Sequence, residues 1–333
     1  MGRELREGPD AILRTLREAA EEVRAAASLL EGLEGAMGFV VGSGTSFHAS
    51  LFLQHLLTKH TNLRVAAVPA SEFAEWRPRG RYFVIGFSQS GESSDVIEAF
   101  RAAKAAGAKT VAITNTPGST LARMADAAVV TRAGREEAVT ATKTFDAQLA
   151  ASLMLAYALA GRGWGEVEAA ADAARKALGA EGSVRGLAER LAGAEHAFCL
   201  GRGVGYPIAL EAALKLKEAA MVHAEGFAVR EFLHGPLQLV GESTPVFAYA
   251  ASAEGFEASR KALERVAGYK APLVAVGPGA RQFSEAAVET PDVGGDANAI
   301  PLAKVAQLLA YHLSLARGLD PDRPSKLTKV VKY

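Results

Sequence analysis

Phe39-Val40-Val41-Gly42-Ser43-Gly44-Thr45-Ser46-Phe47 reads as a buried strand running through a Gly-x-Gly turn into the start of a helix. The same pattern returns at Phe198-Cys199-Leu200-Gly201-Arg202-Gly203-Val204-Gly205-Tyr206. Outward from the first copy, short apolar runs at 38–41, 63–68, 82–87, 110–113 and 127–130 alternate with helix-like segments. From the second copy, runs at 197–200, 246–248, 273–276 and a weaker one at 286–288 do the same. Continuous apolar strands interleaved with helices predict parallel sheets covered on both faces. The expected fold class is α/β, with two tandem doubly wound domains related by duplication. Apolar residues at helical spacing predict an opening helix from Pro9 to Leu30, and further helices span 145–159 and 166–191. The glycines of Gly161-Arg162-Gly163-Trp164-Gly165 place the boundary between domains 1–162 and 163–333.

With 333 residues, 49% of them hydrophobic, the chain can bury two cores. Lys plus Arg and Asp plus Glu stand at 37 each, so no net positive field exists to hold a nucleic acid or an anionic membrane. The start of the chain lacks the apolar stretch of a signal peptide, and no apolar run is read as approaching the ~20 residues of a membrane span. The expectation is a cytoplasmic protein with a small-molecule partner, no nucleic acid and no membrane. One cysteine, Cys199, has no second thiol for a disulfide or a thiolate metal site, and it is read as a buried strand residue. The Gly-x-Gly turns invite a dinucleotide, but Phe47 and Tyr206 stand where the fingerprint needs a third glycine for close helix packing. There is no Gly-Lys-Ser/Thr of a nucleotide loop. No cofactor and no metal are expected.

Phe87-Ser88-Gln89-Ser90-Gly91-Glu92-Ser93-Ser94-Asp95 joins a strand to a helix. Hydroxyls and backbone N–H groups at a helix start, with no lysine among them, suit a monophosphate held by neutral donors and the helix dipole. A single Ser there would be an ordinary helix cap. Four serines and a Gln point to anion binding instead.

In Leu210-Glu211-Ala212-Ala213-Leu214-Lys215-Leu216-Lys217-Glu218 the charges Glu211, Lys215 and Glu218 share one helix face. They form either a solvated stripe of weak ion pairs or, given the apolar neighbours, a buried and functional set. His234, before Gly235-Pro236, is read at a tight turn within reach of a ligand. A lysine, a carboxylate and a histidine near a phosphate make a proton-transfer set for moving hydrogen between adjacent sugar carbons.

These blocks resemble the isomerase half of the glutamine-dependent glucosamine-6-phosphate synthases and their free-standing relatives, a family built from sugar isomerase (SIS) domains. The likeness runs from Arg3-Glu4-Leu5-Arg6-Glu7-Gly8-Pro9 to Asp322-Arg323-Pro324-Ser325-Lys326-Leu327-Thr328-Lys329. It implies that Ser46, Ser88, Gln89, Ser90 and Ser93 hold the phosphate and nearby sugar oxygens, and that Glu218 moves the proton between the first two sugar carbons. It further implies that Lys215 stabilises the enediol or enolamine, and that His234 opens the sugar ring from the neighbouring subunit of a homodimer. Lys329 matches the lysine that forms a Schiff base with the open-chain ketose, a role requiring a neutral amine. Two departures stand out: no glutaminase segment is expected, and Ala141 replaces a serine in Val139-Thr140-Ala141-Thr142-Lys143. The reading favoured is a glucosamine-6-phosphate deaminase releasing ammonia and fructose 6-phosphate. A deglycase acting on an amino-acid conjugate, a simple aldose-ketose isomerase and a non-catalytic phosphosugar sensor are the alternatives.

Overall fold

The computed structural model describes residues 1–76 and 78–329. Its helices and strands, in chain order, begin with α1 (Gly2–Glu18), α2 (Ala20–Glu31), β1 (Met37–Gly42), α3 (Thr45–His60), β2 (Arg64–Pro69) and α4 (Ala70–Trp76). Next come β3 (Tyr82–Ser88), α5 (Ser94–Ala105), β4 (Lys109–Thr114), α6 (Thr120–Met124), β5 (Ala127–Val130), α7 (Lys143–Leu159), α8 (Gly165–Ala177) and α9 (Glu181–Leu191). The rest are β6 (His196–Gly201), α10 (Gly205–Ala220), β7 (His223–Ala228), β8 (Val246–Tyr249), α11 (Ala253–Glu257), α12 (Arg260–Gly268), β9 (Leu273–Val276), β10 (Ala286–Val288) and α13 (Ala299–Ala316).

Among the described residues these strands form two five-stranded parallel sheets, ordered β2-β1-β3-β4-β5 and β7-β6-β8-β9-β10. The two orders are the same order, so the duplication read from the glycine turns extends to the whole sheet. In such sheets the strand order reverses between the first and third strands, and ligands bind in the crevice at their carboxyl ends. Both Gly-x-Gly turns and the serine loop lie at those ends.

Two compact units divide the chain by interleaving. Among the described residues the first-sheet unit holds Glu7–Glu136, Lys143–Glu168 and the tail residues Thr328 and Lys329; the second-sheet unit holds Met1–Arg6, Glu137–Thr142 and Ala169–Leu327. Arg162 and Gly163 fall inside the segment Lys143–Glu168. In the first unit Phe39, Phe73 and Tyr82 pack edge to face, with ring centroids 5.3–6.2 Å apart. In the second, Phe198 and Phe232 pack edge to face at 4.9 Å, and Phe227 leans on both at a tilt, 5.8–6.1 Å away.

Several expectations are corrected. The opening helix starts earlier than Pro9 and breaks after Glu18. Pro9 is tolerated inside α1 although it offers no N–H to the carbonyl of Leu5, because Lys304 Nζ donates to that oxygen at 2.8 Å. The helix over 166–191 is two helices around a 3₁₀ turn at Leu178–Ala180, where Gly179 weakens the helical run. Strand β7 went unread because His223, Glu225 and Gly226 break an apolar pattern; at the sheet edge its charged side chains reach solvent while its backbone pairs with β6 in the register His196↔His223. One segment, Gly295–Ala316, is after all long and apolar enough to cross a membrane, but 83% of its most apolar window is buried inside the protein, where it serves as a core helix.

Candidate active site

In the first-sheet unit, β1 and β3 deliver their turns to the crevice where the strand order reverses. Gly42 is obligatory there, since a Cβ would stand 2.5 Å from the Ser46 carbonyl oxygen in the first turn of α3. Gly91 has φ +65°, and a Cβ on it would meet Ser119 Oγ at 2.0 Å. The serine loop is therefore pressed onto the turn that precedes α6. Further bonds fix it there: Leu121 N–H donates to the Gly91 carbonyl at 3.0 Å, Asn115 N–H to the Gln89 carbonyl at 3.0 Å, and Thr120 N–H to Glu92 Oε1 at 2.8 Å.

Within the loop, Gly91 N–H donates to Ser88 Oγ at 3.1 Å and Glu92 N–H to Ser90 Oγ at 3.1 Å. Ser88 Oγ and Ser93 Oγ share a hydrogen bond of 3.0 Å. Ser93 is the cap residue of α5, yet its side chain makes no capping bond, so the hydroxyl is not spent on the helix. Ser46 Oγ accepts from Gln148 Nε2 on α7 at 3.0 Å. The structure thus joins Ser88, Ser90 and Ser93 in one rigid loop and holds Ser46 by a separate bond across the same unit.

Lys329 also belongs to this unit, and its Nζ lies 3.0 Å from Oε2 of Glu136, whose side chain is fully buried. Thr144 Oγ1 donates to the same Glu136 oxygen at 2.6 Å. Gln89 and Glu136 line one cavity of about 580 Å³ with Asn115 and Arg135. Glu136 and Gln148 escaped sequence reasoning. A Glu in the charged loop run Arg135-Glu136-Glu137 and a lone Gln on a helix buried through most of its length carry no local signal, and only their buried contacts mark them.

In the second-sheet unit, α10 carries the charged stripe. Lys215 is completely buried, and its Nζ lies 3.4 Å from Oε1 of Glu211 and bonds to Oε2 of Glu218. Glu211 is buried as well, whereas Glu218 keeps 21% of its side chain exposed. This rules out the solvated-stripe alternative: the ammonium sits between two carboxylates inside the protein, where each charge depends on the others. Glu218 opens onto a cavity of about 420 Å³ walled by Leu214, Met221, His223 and the tail segment Ser325-Lys326-Leu327. His234 ends a 3₁₀ turn before Gly235, at φ 145°, and is exposed. Cys199 is buried in β6, and burial pushes its thiol well above the ordinary range, so it is no nucleophile. Among the described residues no His, Cys, Asp and Glu group could hold a metal.

The second copy of the crevice differs in kind. A Cβ on Gly205, the counterpart of Ser46, would lie 2.5 Å from the Tyr249 carbonyl oxygen, so backbone fills the space that Ser46 occupies in the first copy. In the strand registers Ala250-Ala251-Ser252-Ala253 stands at the end of β8 where Ser88-Gln89-Ser90-Gly91 stands at the end of β3.

The SIS domain profile matches residues 38–158 and 190–317. A glutamine–fructose-6-phosphate aminotransferase (isomerizing) of Aeropyrum pernix is 38% identical over 353 residues, covering 99% of this chain and 57% of the relative. Its counterpart in Mycolicibacterium smegmatis is 36% identical, with the same coverage. The chain thus spans a little over half the length of the curated relatives it matches. Among solved structures, the C-terminal domain of glucosamine-fructose-6-phosphate aminotransferase from Francisella tularensis superposes with a TM-score of 0.88 at 28% identity, covering 97% of both chains. A glucosamine-6-phosphate deaminase from Thermotoga maritima, at 24% identity and a TM-score of 0.78, shares the fold. Each profile match contains one of the two sheets, and the chain belongs to the SIS domain family through two tandem copies of that domain.

Proposed function

We propose that this chain is a phosphosugar isomerase acting as a glucosamine-6-phosphate deaminase. The observation that carries the reading is the Glu211–Lys215–Glu218 cluster, an ammonium clamped between carboxylates with one of them open to a cavity. Burial of such a set costs stability and is characteristic of functional sites.

In this reading Ser46, Ser88, Gln89, Ser90 and Ser93 hold the phosphoryl group, and His234 of a partner subunit assists ring opening to the aldehyde. Glu218 takes the proton from the carbon bearing the amine, leaving an enolamine whose developing negative charge faces the Lys215 ammonium. Returning that proton to the neighbouring carbon gives a ketose imine. Water adds to the imine, directly or after its transfer to the Lys329 amine, and ammonia departs to leave fructose 6-phosphate. Atoms balance as one water consumed and one ammonia released. The aminotransferase names of the relatives and the deaminase name of a structural neighbour support a sugar-phosphate substrate bearing nitrogen at that carbon.

The test is ammonia and fructose 6-phosphate release from glucosamine 6-phosphate by the purified chain, beside Glu218→Gln. The expected result is stoichiometric release, with kcat lowered about 10²- to 10⁴-fold in the variant. Turnover of an amino-acid conjugate in place of glucosamine 6-phosphate would move the assignment to a deglycase. Aldose-ketose interconversion without ammonia would move it to a simple isomerase.

A further inference from the structure

Two hydroxyls of the serine loop already accept a hydrogen bond from the backbone. Gly91 N–H points at Ser88 Oγ and Glu92 N–H at Ser90 Oγ, while Ser88 and Ser93 bond each other. A hydroxyl whose lone pair is engaged by an N–H directs its own hydrogen elsewhere. The Ser90 proton is therefore free for a ligand, and whichever of Ser88 and Ser93 does not donate within their pair has its proton free as well. Ser46 completes the pattern from a different element, because its Oγ accepts from Gln148 Nε2 at 3.0 Å. Gln148 is buried, and its Oε1 has no partner among the described residues. The amide therefore spends its one contact on Ser46.

We propose that Gln148 is a positioning residue of the phosphate site, which by donating to Ser46 turns that hydroxyl into a donor toward the phosphoryl oxygens and tunes the site to the phosphate dianion. The inference rests on the phosphate-binding reading of Ser46 and the serine loop. A site made wholly of donors favours the phosphoryl group that has lost its second proton, which ionises near pH 6. Reversing the amide contact would turn the Ser46 lone pairs toward the ligand, where they would repel it.

The experiment measures binding of glucosamine 6-phosphate and of inorganic phosphate by calorimetry, from pH 5 to 8, to the full chain and to Gln148→Leu, Gln148→Glu, Ser46→Ala and the Gln148→Leu/Ser46→Ala pair. Melting curves confirm that each variant is folded; Gln148→Glu preserves size if Gln148→Leu does not fold. Loss of one hydrogen bond to a charged group predicts about tenfold weaker binding in Gln148→Leu. In the Ser46→Ala background the same substitution should change affinity by less than about twofold, because the two residues act as one unit. Wild-type affinity should rise as pH passes about 6, and Gln148→Glu, whose carboxylate captures the Ser46 proton, should flatten that rise. Where turnover is present, the Gln148 variants should raise KM and leave kcat nearly unchanged, as expected for an interaction equal in ground and transition states. Equal losses with and without Ser46, or an unaltered pH profile in Gln148→Glu, would overturn the proposal. Absence of any phosphate-dependent binding by the wild-type chain would overturn it together with the phosphate reading, whereas binding without ammonia release would remove only the deaminase assignment.

Discussion

A base that lifts a proton from carbon works best when held in one rotamer and stripped of most of its water. Glu218, bonded to a buried ammonium and one-fifth exposed, meets both conditions. The same bonds make the cluster fragile. Removing Lys215 alone takes the ammonium from two carboxylates, one of them buried, so Lys215→Met is expected to destabilise the chain by about 3–5 kcal/mol, read from chemical denaturation. Replacing Glu211 and Lys215 together by leucines is a different experiment, because no buried charge is left behind at those two positions. With the two copies aligned through their glycine turns, Glu211 and Lys215 stand where α3 carries the fully buried Phe52 and Leu56. The first copy thus shows that these positions accept apolar residues. The double variant should match or exceed the wild type in stability by about 1–4 kcal/mol and lose turnover. A marked loss of stability in the double variant would mean that the cluster is a structural device.

At the scale of elements, the sheet edges show how much hangs on single caps. Asp126, in the turn before β5, accepts from the N–H and the hydroxyl of Thr110 in β4, each at 2.9 Å. Burial alone would raise its carboxyl, but the Thr110 bonds and the nearby Lys104 outweigh burial and hold it below the usual carboxylate range. A depressed folded-state pKa gives stability that is present above the unfolded value and lost as pH falls through the folded one. Asp126→Ala should therefore cost about 1–2 kcal/mol near neutral pH. The gap should close as denaturation is repeated below pH 4, and a gap independent of pH would assign the loss to packing. The apolar strands were legible because both faces of a parallel sheet are buried, which leaves an uninterrupted signal. Edge strand β7 was not, because its backbone pairing does not depend on the side chains that carried the pattern. In the site, the serines stood out by their density. Glu136 and Gln148 became visible only through the Lys329 and Ser46 contacts that the fold supplies.

Across the whole molecule, the duplicated sheets have diverged in what their crevices can do. Gly205 backs onto Tyr249 without room for a Cβ, and Ala250 and Ala251 replace Ser88 and Gln89, so one phosphosugar should bind per chain; calorimetric stoichiometry near two would contradict this. If His234 works in a partner's site, mixing unfolded and refolded His234→Ala and Glu218→Gln chains should restore about a quarter of wild-type activity, because half of a random dimer population would carry one intact site of two. No recovery, with dimers present, would place the histidine in its own chain's site. The closed second crevice has a longer reach. On this reading, the phosphate grip is written in the first copy and the proton-transfer cluster in the second, while Lys329 joins the first-sheet unit from the tail. Mutation can then retune the serine loop toward a new phosphorylated sugar without disturbing the proton-transfer helix, and can rework the helix without loosening the grip. A fold that doubled and then shed one of its two crevices would thereby have separated the phosphate grip from the proton transfer, leaving each free to vary on its own.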